Sequence, residues 1–334
     1  MAGVLSVTES DSVLPVVPMF HANAWGFPFT CTLVGAKQVF PGPFLDGESL
    51  LTAFEQEQVT ITAGVPTIWM GILAELDGNP GKYDTSSVRA MVVGGSAAPQ
   101  SMIEAFEKRH GLRIVHAWGM TETCPLGSVS EPTTRERALS EAEQFRYRAM
   151  QGIPAPFFEI RARGGEGLVP WDGETMGELE VRGAWVSSSY YDAPEGADRW
   201  TSDGWFKTGD IVTIEPHGYI EIQDRSKDLV KSGGEWISTV ALENALMGHP
   251  AVAEAAVIAV PDEKWSERPL AVVVLREGQA ATGDELREFI APHFAKWWLP
   301  EQFEFVDEIP KTAVGKFRKT ALREMFTQQP AETA

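Results

Sequence analysis

The sequence predicts an α/β protein: a doubly wound, mostly parallel sheet, then a small β-barrel or antiparallel sheet, and finally a small α+β domain. Three observations carry this prediction. Over residues 1–150, short apolar runs alternate with helical patterns, as in parallel sheets whose crossovers are helices. Residues 151–224 hold short alternating segments between Gly, Pro and Asp, which is typical of antiparallel strands. Residues 225–330 mix strand and helix patterns over a length sufficient for a separate domain.

Capping and turn residues define the elements of the first part. Gln100–His110 has the spacing of an amphipathic helix, and Gly111 is placed as its C-terminal cap. The polar stretch Glu131–Gln151 predicts a peripheral helix. The other elements expected here are strands at Val13–Pro18, Val59–Val65, Ser87–Gly94 and Ile114–Trp118, and a helix at Glu48–Glu57.

The same signals define the later parts. Thr282 and Glu285 form a capping-box pattern that opens a helix over Glu285–Phe294, and a closing helix is expected at Lys319–Phe326. The other expected elements are strands at Phe158–Ala162, Gly177–Val181, Gly218–Ile222, Val252–Val260, Leu270–Leu275 and Phe303–Val306, and a helix at Val240–Met247 closed by Gly248 and Pro250.

Composition and charge exclude several classes of function. Of 334 residues, 43% are hydrophobic and 22% are charged, and the net charge is −19. This charge argues against a nucleic-acid binder, which needs an excess of Lys and Arg. Cys31 and Cys124 are too few for a disulfide framework or a CxxC metal pair. With no signal-peptide pattern and no apolar run long enough to span a bilayer, we expect a cytoplasmic protein without a transmembrane segment.

Two glycine-containing motifs follow strands, where ligand sites collect. VVGGSAAP (Val92–Pro99) lets the backbone approach a planar ring or a phosphate, although a tight turn is the commoner reason for such a glycine pair. In HAWGMTET (His116–Thr123), Trp118 could stack on a base, Thr121 could bind a phosphate, and Glu122 could hold a hydrated Mg²⁺. A buried Trp and a helix N-cap at Thr121 are the alternative.

Three charged motifs lie further along the chain. The Thr-Gly-Asp turn of DGWFKTGDI (Asp203–Ile211) presents one carboxylate suited to ribose hydroxyls, although such turns are common. In GYIEIQDRSKDLVKSGGEWIS (Gly218–Ser238), Arg225 offers a fixed fork of donors, but such a charge run is also typical of a solvated helix face. PKTAVGK (Pro310–Lys316) ends in a lysine that could reach a developing negative charge, although a surface lysine is the usual case.

The order and wording of these motifs resemble the adenylate-forming family of acyl-CoA synthetases, luciferases and peptide-synthetase adenylation domains. The likeness is greatest to bacterial medium- and long-chain fatty acyl-CoA ligases, and it runs from Val13 to about Phe326. The segments that carry it are PMFHANAW (Pro18–Trp25), TAGVPTIW (Thr62–Trp69), DRSKDLVKSGGEWIS (Asp224–Ser238), and FAKWWLP followed by IPKTAVGK.

The resemblance implies a reaction in two steps that uses ATP, Mg²⁺ and CoA. A carboxylic acid is joined to AMP with loss of pyrophosphate, and the acyl group then passes to the thiol of CoA. It implies that Lys316 contacts the acyl carboxylate and phosphate, that Asp210 and Arg225 hold the ribose, and that Thr121 and Glu122 bind phosphate and Mg²⁺. The implied adenine pocket consists of Gly95, Ser96, His116, Ala117, Trp118 and Gly119, with Trp118 stacked on the ring.

The resemblance also implies a moving lid. Lys227 occupies the hinge position between residues 1–224 and the lid, which would swing to bring the face Lys231–Trp236 to the site for the second step. His21, Ala22 and Trp25 match the acyl-tunnel region, with Trp25 as an aromatic gate. A histidine at a strand end is otherwise more often a satisfied core residue.

One family feature has no counterpart in this sequence. Relatives carry a loop of the type TSGTTGxPKG upstream of PMFH, which wraps the β- and γ-phosphates, whereas here PMFH starts at Pro18 and no such loop occurs. A naturally short gene product and a deliberately shortened chain both explain this. We therefore expect exposed apolar surface and little or no adenylation by this chain alone.

Three functions stay open. The first is a ligase for medium- or long-chain fatty acids, the second a ligase for a short or modified acid such as 3-methylthiopropionate, and the third a non-catalytic remnant that binds nucleotide or acyl-AMP. Peptide-synthetase adenylation is disfavoured because no carrier segment follows and SGGEWIS is acyl-ligase wording. The expected partners are small molecules, with no nucleic acid, and a homodimer is an open expectation because related ligases form one.

Overall fold

A computed structural model of the chain describes residues 2–312 and 316–326. Seven strands form its first sheet: β1 (Ser12–Pro15), β2 (Lys37–Gln38), β3 (Ile61–Gly64), β4 (Ala90–Val93), β5 (Ile114–Gly119), β6 (Leu126–Val129) and β7 (Ile153–Pro154). They lie in the order β2-β1-β3-β4-β5-β6-β7. The strands from β2 to β5 are parallel, whereas β6 and β7 are antiparallel to their neighbours. The predicted mostly parallel sheet is confirmed.

Helices cover both faces of this sheet. Adjacent residues of a strand point to opposite faces, and accordingly Leu14 packs in one hydrophobic cluster with Phe54 and Trp69, while Val13 packs in another with Phe27. Because both faces are buried, the strands read as continuous apolar runs. The helical segments are α1 (Ala2–Leu5), α2 (Ala22–Trp25), α3 (Phe27–Val34), α4 (Gly47–Gln56), α5 (Pro66–Gly78), α6 (Gln100–His110) and α7 (Glu141–Ala149).

Local capping explains which helix predictions hold. α6 ends where predicted, because Gly111 adopts the left-handed conformation that caps it. The prediction of one helix over Glu131–Gln151 is wrong in its first half. Ser140 has an extended backbone and forms a capping box with Glu143, so α7 begins only after Ser140. A single 3-10 turn, Glu136–Ala138, precedes it.

The second sheet contains antiparallel strand pairs. Its strands are β8 (Phe158–Gly164), β9 (Gly167–Leu168), β10 (Gly177–Gly183), β11 (Phe206–Ile214) and β12 (Ile220–Arg225), in the order β12-β11-β10-β8-β9. β8 pairs with both β10 and β9 in antiparallel register. The predicted small antiparallel sheet is confirmed.

The last part is a mixed α+β arrangement. It contains β13 (Val230–Ser232), β14 (Glu235–Ile237), α8 (Thr239–Met247), β15 (Val252–Asp262), β16 (Ser266–Leu275), α9 (Gly283–Ile290), β17 (Gln302–Phe305) and α10 (Lys319–Phe326). The capping box of Thr282 and Glu285 opens α9 as predicted. The predicted extension to Phe294 is wrong, because Pro292 lacks the N–H that an α-helix needs and lies in a 3-10 turn.

The chain divides into two compact units. The first unit is Met1–Thr208 with Thr213–Glu221, and the second unit is Gly209–Val212 with Ile222–Ala334. The predicted subdomains and the hinge at Lys227 are not tested by this division and stay predictions. Among the described residues, no helix combines the length and the apolar character needed to cross a membrane.

Candidate functional site

Sheet register brings the first two motifs together in the first unit. β4 and β5 are parallel, with Val93 opposite His116, so Gly95 and Ser96 leave the sheet at the edge where His116–Gly119 ends. Gly95 has a φ of 82°, in the left-handed region that favours glycine. Gly95 therefore serves the turn, and the predicted contact of Gly95 and Ser96 with adenine stays a prediction.

Gly94 has a different role from Gly95. A Cβ on Gly94 would lie 3.0 Å from the carbonyl oxygen of Ala117 and 3.2 Å from the ring of Trp25. Trp25 is buried, with 9% of its surface exposed. The indole of the predicted acyl gate therefore lies against the loop of the predicted adenine pocket, a contact that the sequence did not reveal.

The segment that carries Trp25 has an unusual backbone. Ala22, Asn23, Ala24 and Trp25 all have positive φ, between 45° and 54°. For non-glycine residues this left-handed conformation costs energy, and such strain concentrates at functional sites. His21 comes directly before this turn and stays only partly buried. Of the predicted tunnel residues, Ala22 and Trp25 thus lie on one strained turn, and His21 immediately precedes it.

His116 is a neutral, buried wall of this site. Its side chain is 1% exposed, and its Nδ1 lies 2.9 Å from the carbonyl oxygen of Ala149, which requires the hydrogen to be on Nδ1. Burial lowers the pKa of His116 to about 4, against hydrogen bonds with the backbone of Ala149, Ser96 and Met150. Near neutral pH the imidazole is therefore uncharged, suited to shape a pocket rather than to act as a base.

Trp118 and Gly119 fit into tightly packed surroundings. Trp118 is 7% exposed, and its ring lies edge-on to Phe158 at a centroid distance of 6.3 Å. A Cβ on Gly127 would come within 2.3 Å of the indole, and a Cβ on Gly119 within 1.7 Å of the carbonyl oxygen of Pro125. Gly119 is thus required by packing, and stacking of Trp118 on a base would use a small part of its ring.

A tyrosine orients the predicted magnesium ligand. Thr121 and Glu122 lie on a 3-10 turn directly after β5. The hydroxyl of Tyr190 donates to Glu122 Oε1 at 2.7 Å, and the backbone N–H of Ser187 donates to the carbonyl oxygen of Glu122 at 2.8 Å. Burial and the Glu122 carboxylate raise the pKa of Tyr190 to about 12, so it stays a donor. Tyr190 was not predicted, because no local pattern links residues so far apart.

Glu122 fits a Mg²⁺ ion that is held jointly by the protein, the substrate phosphates and water. Among residues 2–312 and 316–326, no group of three or more His, Cys, Asp and Glu side chains converges as a metal cage. Mg²⁺ is commonly held by one or two carboxylates together with substrate phosphates and water. A single carboxylate oriented by Tyr190 matches that mode.

The second unit brings together the predicted ribose residues and the predicted catalytic lysine. Asp210 is 3% exposed, and its Oδ1 lies 2.7 Å from Nε of Arg225, whose side chain is 46% exposed. Burial and the charge of Arg225 lower the pKa of Lys316, against an opposing effect of Asp210. The three charged groups therefore influence one another, and their predicted roles in binding ribose and in catalysis stay predictions.

Backbone pairing fixes the described residues on either side of the segment before Lys316. The backbone N–H of Thr312 donates to the carbonyl oxygen of Lys316 at 2.8 Å. Lys311 and Phe317 form an isolated antiparallel β-bridge through their backbones. These pairings fix the backbone position of Lys316. The predicted flexible glycine, Gly315, lies outside the described residues.

The predicted hinge and the face for the second step lie on adjoining turns. Lys227 is exposed in a turn where the backbone N–H of Asp228 donates to the carbonyl oxygen of Arg225 at 2.9 Å. Lys231 pairs with Trp236 across β13 and β14. Their connection, Gly233-Gly234, has φ values of 60° and 91°, as the tight hairpin requires. Lys231 and Trp236 thus form one surface, and their roles stay predictions.

Comparisons with known proteins identify the family of the chain. The sequence matches the AMP-binding enzyme family over residues 1–191 and the AMP-binding enzyme C-terminal domain over residues 241–316. It is 50% identical to a long-chain-fatty-acid–CoA ligase of Thermus thermophilus over 96% of this chain. It is 46% identical to a 3-methylmercaptopropionyl-CoA ligase of Ruegeria lacuscaerulensis over 97% of this chain. The chain spans 59% of the length of each relative.

A solved structure shares the fold. The anthranilate–CoA ligase AuaEII, in complex with anthranoyl-AMP, superposes with a TM-score of 0.83 at 28% identity, over 96% of this chain and 60% of that one. The predicted α/β fold class is confirmed. On these matches, the chain belongs to the adenylate-forming family of AMP-binding enzymes.

Proposed function

We propose that this chain carries the adenylate-handling part of an AMP-forming acyl-CoA synthetase for medium- or long-chain fatty acids. The observation that carries the proposal is the grouping of Lys316, Arg225 and Asp210 in one compact unit. ATP, the fatty acid and CoA are the substrates, and Mg²⁺ is held through Glu122. The similarity to the Thermus long-chain-fatty-acid–CoA ligase supports the acyl class.

Each residue of this group has a definite task. The buried carboxylate of Asp210 accepts hydrogen bonds from the ribose hydroxyls, and Arg225, fixed by that carboxylate, directs its guanidinium at the same sugar. The ammonium of Lys316 lies where negative charge grows as the acyl carboxylate approaches the α-phosphate, and it stabilises that charge in a largely dehydrated position. Mg²⁺, when bound, neutralises charge on the phosphates.

Calorimetry with a non-hydrolysable acyl-sulfamoyl adenosine tests this proposal. We expect the wild-type chain to bind this compound. For Asp210→Ala we expect the affinity to fall by about tenfold or more, because a buried charge-assisted contact with the ribose disappears. Asp307→Ala, which removes an exposed carboxylate of the same unit, is the matched control. Binding that ignores Asp210→Ala but changes with Asp307→Ala would contradict the ribose site.

A modified short acid is the second candidate. It is favoured by the similarity to a 3-methylmercaptopropionyl-CoA ligase, almost as high as that to the fatty-acid ligase. Calorimetry with a series of acyl-sulfamoyl adenosines of increasing chain length separates the two. Tightest binding of the methylthiopropionyl compound would select this candidate, and affinity that rises with chain length would select the fatty-acid ligase.

A nucleotide-binding subunit without turnover is the third candidate. It is favoured by large apolar side chains that are exposed in the first unit, where a further polypeptide could cover them. These residues are Phe20, Phe29, Leu33, Phe40 and Phe44, each between 57% and 81% exposed. This candidate predicts binding of acyl-AMP without acid-dependent release of pyrophosphate. The predicted cytoplasmic location and homodimer stay predictions, and light scattering of the purified chain tests the second.

A further inference from the structure

A buried polar cluster in the second unit joins residues on both sides of Lys227. We call Asp224, Thr239, Glu243 and Lys319 the Lys319 cluster. The ammonium of Lys319 lies 2.7 Å from Glu243 Oε1 and 3.9 Å from Asp224 Oδ2. Lys319 donates to the hydroxyl of Thr239, which in turn donates to Asp224 Oδ2. Asp224, Thr239 and Glu243 are at most 7% exposed, so these bonds form away from water.

Charge balance explains how a lysine stays charged there. Burial disfavours the ammonium of Lys319, but the charges of Glu243 and Asp224 outweigh it and raise the pKa of Lys319. An unpaired charge at such a depth would be costly. Lys319 is therefore stable in this position only while at least one carboxylate stays beside it.

The two carboxylates lie on opposite sides of Lys227 in the chain. Glu243 follows Lys227, like Lys319, and its Oε1 also accepts the backbone N–H of Val257 at 2.7 Å. Asp224 precedes Lys227. If the residues after Lys227 rotate as one body, Lys319 keeps Glu243 as its counterion and loses Asp224. The bond of 2.6 Å from the hydroxyl of Ser238 to the carbonyl oxygen of Gln223 would break in the same movement.

The Lys319 cluster also adjoins the groups that handle the adenylate. Lys319 is the first residue of α10 and lies three positions after Lys316. Asp224 comes directly before Arg225, and Asp224 Oδ1 accepts the backbone N–H of Arg225 at 2.7 Å. The cluster thus connects the segment that bears the catalytic lysine to the segment that bears the ribose-binding arginine.

We propose that Asp224, Thr239 and Lys319 are positioning residues that latch the lid in the pose where Lys316 faces Arg225 and Asp210. The latch holds during adenylation and opens when the lid turns about Lys227 for transfer to CoA. Glu243 is the permanent counterion that lets the latch open without stranding a buried ammonium. This inference rests on the proposed function and on the predicted hinge.

Hydrogen exchange of the ligand-free full chain tests the latch, with Asp224→Asn compared with Glu243→Gln. For Asp224→Asn we expect the amides of residues 225–229 to exchange on the order of tenfold faster, because a charge-assisted bond across the hinge is weakened, while Val257 and the β15–β16 hairpin stay protected. For Glu243→Gln we expect the opposite pattern, in which the main increase in exchange is at the amide of Val257 and not at residues 225–229.

Two further measurements separate the latch from a merely structural role and from the proposed function. Lys319→Arg should keep slow exchange at residues 225–229, since it preserves the charge, whereas Lys319→Met should not. Unchanged exchange there in Asp224→Asn, or equal acceleration across the whole second unit, would overturn the latch. The acyl-sulfamoyl adenosine should slow exchange at residues 225–229 in the wild type; if it has no effect while the variants behave as expected, the proposed function fails, and only the structural contact across Lys227 is supported.

Discussion

Each unit builds its own group of predicted site residues, and the two units do so by different means. In the first unit, sheet register, positive φ angles and close backbone contacts set the site, and its central histidine is neutral. In the second unit, charged side chains in partly or fully buried positions set it, and each depends on a partner of opposite charge. The first unit should therefore be sensitive to added volume and the second to lost charge.

Removal of the predicted catalytic charge should have the largest effect. Where the wild-type chain releases pyrophosphate in an acid-dependent reaction, we expect Lys316→Ala to lower that rate by on the order of a hundredfold or more, because a preorganised cation at the developing charge is lost. Lys296→Ala, which removes an exposed lysine of the same unit, should leave the rate unchanged. Equal and measurable rates for Lys316→Ala and wild type would contradict a catalytic role of Lys316.

Added volume should be the corresponding test for the first unit. A methyl group on Gly119 would overlap the carbonyl oxygen of Pro125, so we expect Gly119→Ala to lower the free energy of unfolding by about 3 kcal/mol. Gly71→Ala is the matched control. Gly71 lies inside α5 with open space around it, and alanine there should stabilise by about 0.5–1 kcal/mol. Urea denaturation measures both, and a neutral Gly119→Ala would contradict the packing account.

The same contrast explains what could be predicted from the sequence. α6 and α10 are predicted with their observed bounds, and the C-terminal end of α6 is fixed by the adjacent Gly111. α5 is not predicted, because its first turn has Pro66 but no side-chain cap and its apolar residues do not mark one clear face. The motif residues are recognisable from short patterns, whereas Tyr190 beside Glu122 and Lys319 beside Asp224 depend on contacts between distant segments.

Acid should act on the first unit through His116. Its pKa is about 4 in the folded chain and 6.5 when exposed, so the unfolded state binds the proton more tightly. As the pH falls from 6.5 to 4, protonation of this histidine favours the unfolded state. We expect the free energy of unfolding to fall by about 3 kcal/mol by pH 4. Thermal unfolding of His116→Gln should lack this component, because glutamine keeps a donor but does not titrate. The exposed His293 offers the control. If His293→Gln, and not His116→Gln, lost the fall in stability between pH 6.5 and 4, the assignment to His116 would be wrong.

The smallest expected effect concerns the orientation of a single carboxylate. In Tyr190→Phe the ring still packs against Trp200 at 5.2 Å, but the hydrogen bond to Glu122 is lost. Loss of such a supporting bond usually costs about 1 kcal/mol, so we expect the Mg²⁺ concentration at half-maximal ATP binding to rise severalfold, as followed by tryptophan fluorescence. Tyr191→Phe is the matched control because Tyr191 is 99% exposed. A shift in both variants would assign the effect to the loop as a whole. A shift in Tyr190→Phe alone would show that the first unit, although backbone geometry sets most of its site, needs one side-chain bond to orient its predicted metal ligand.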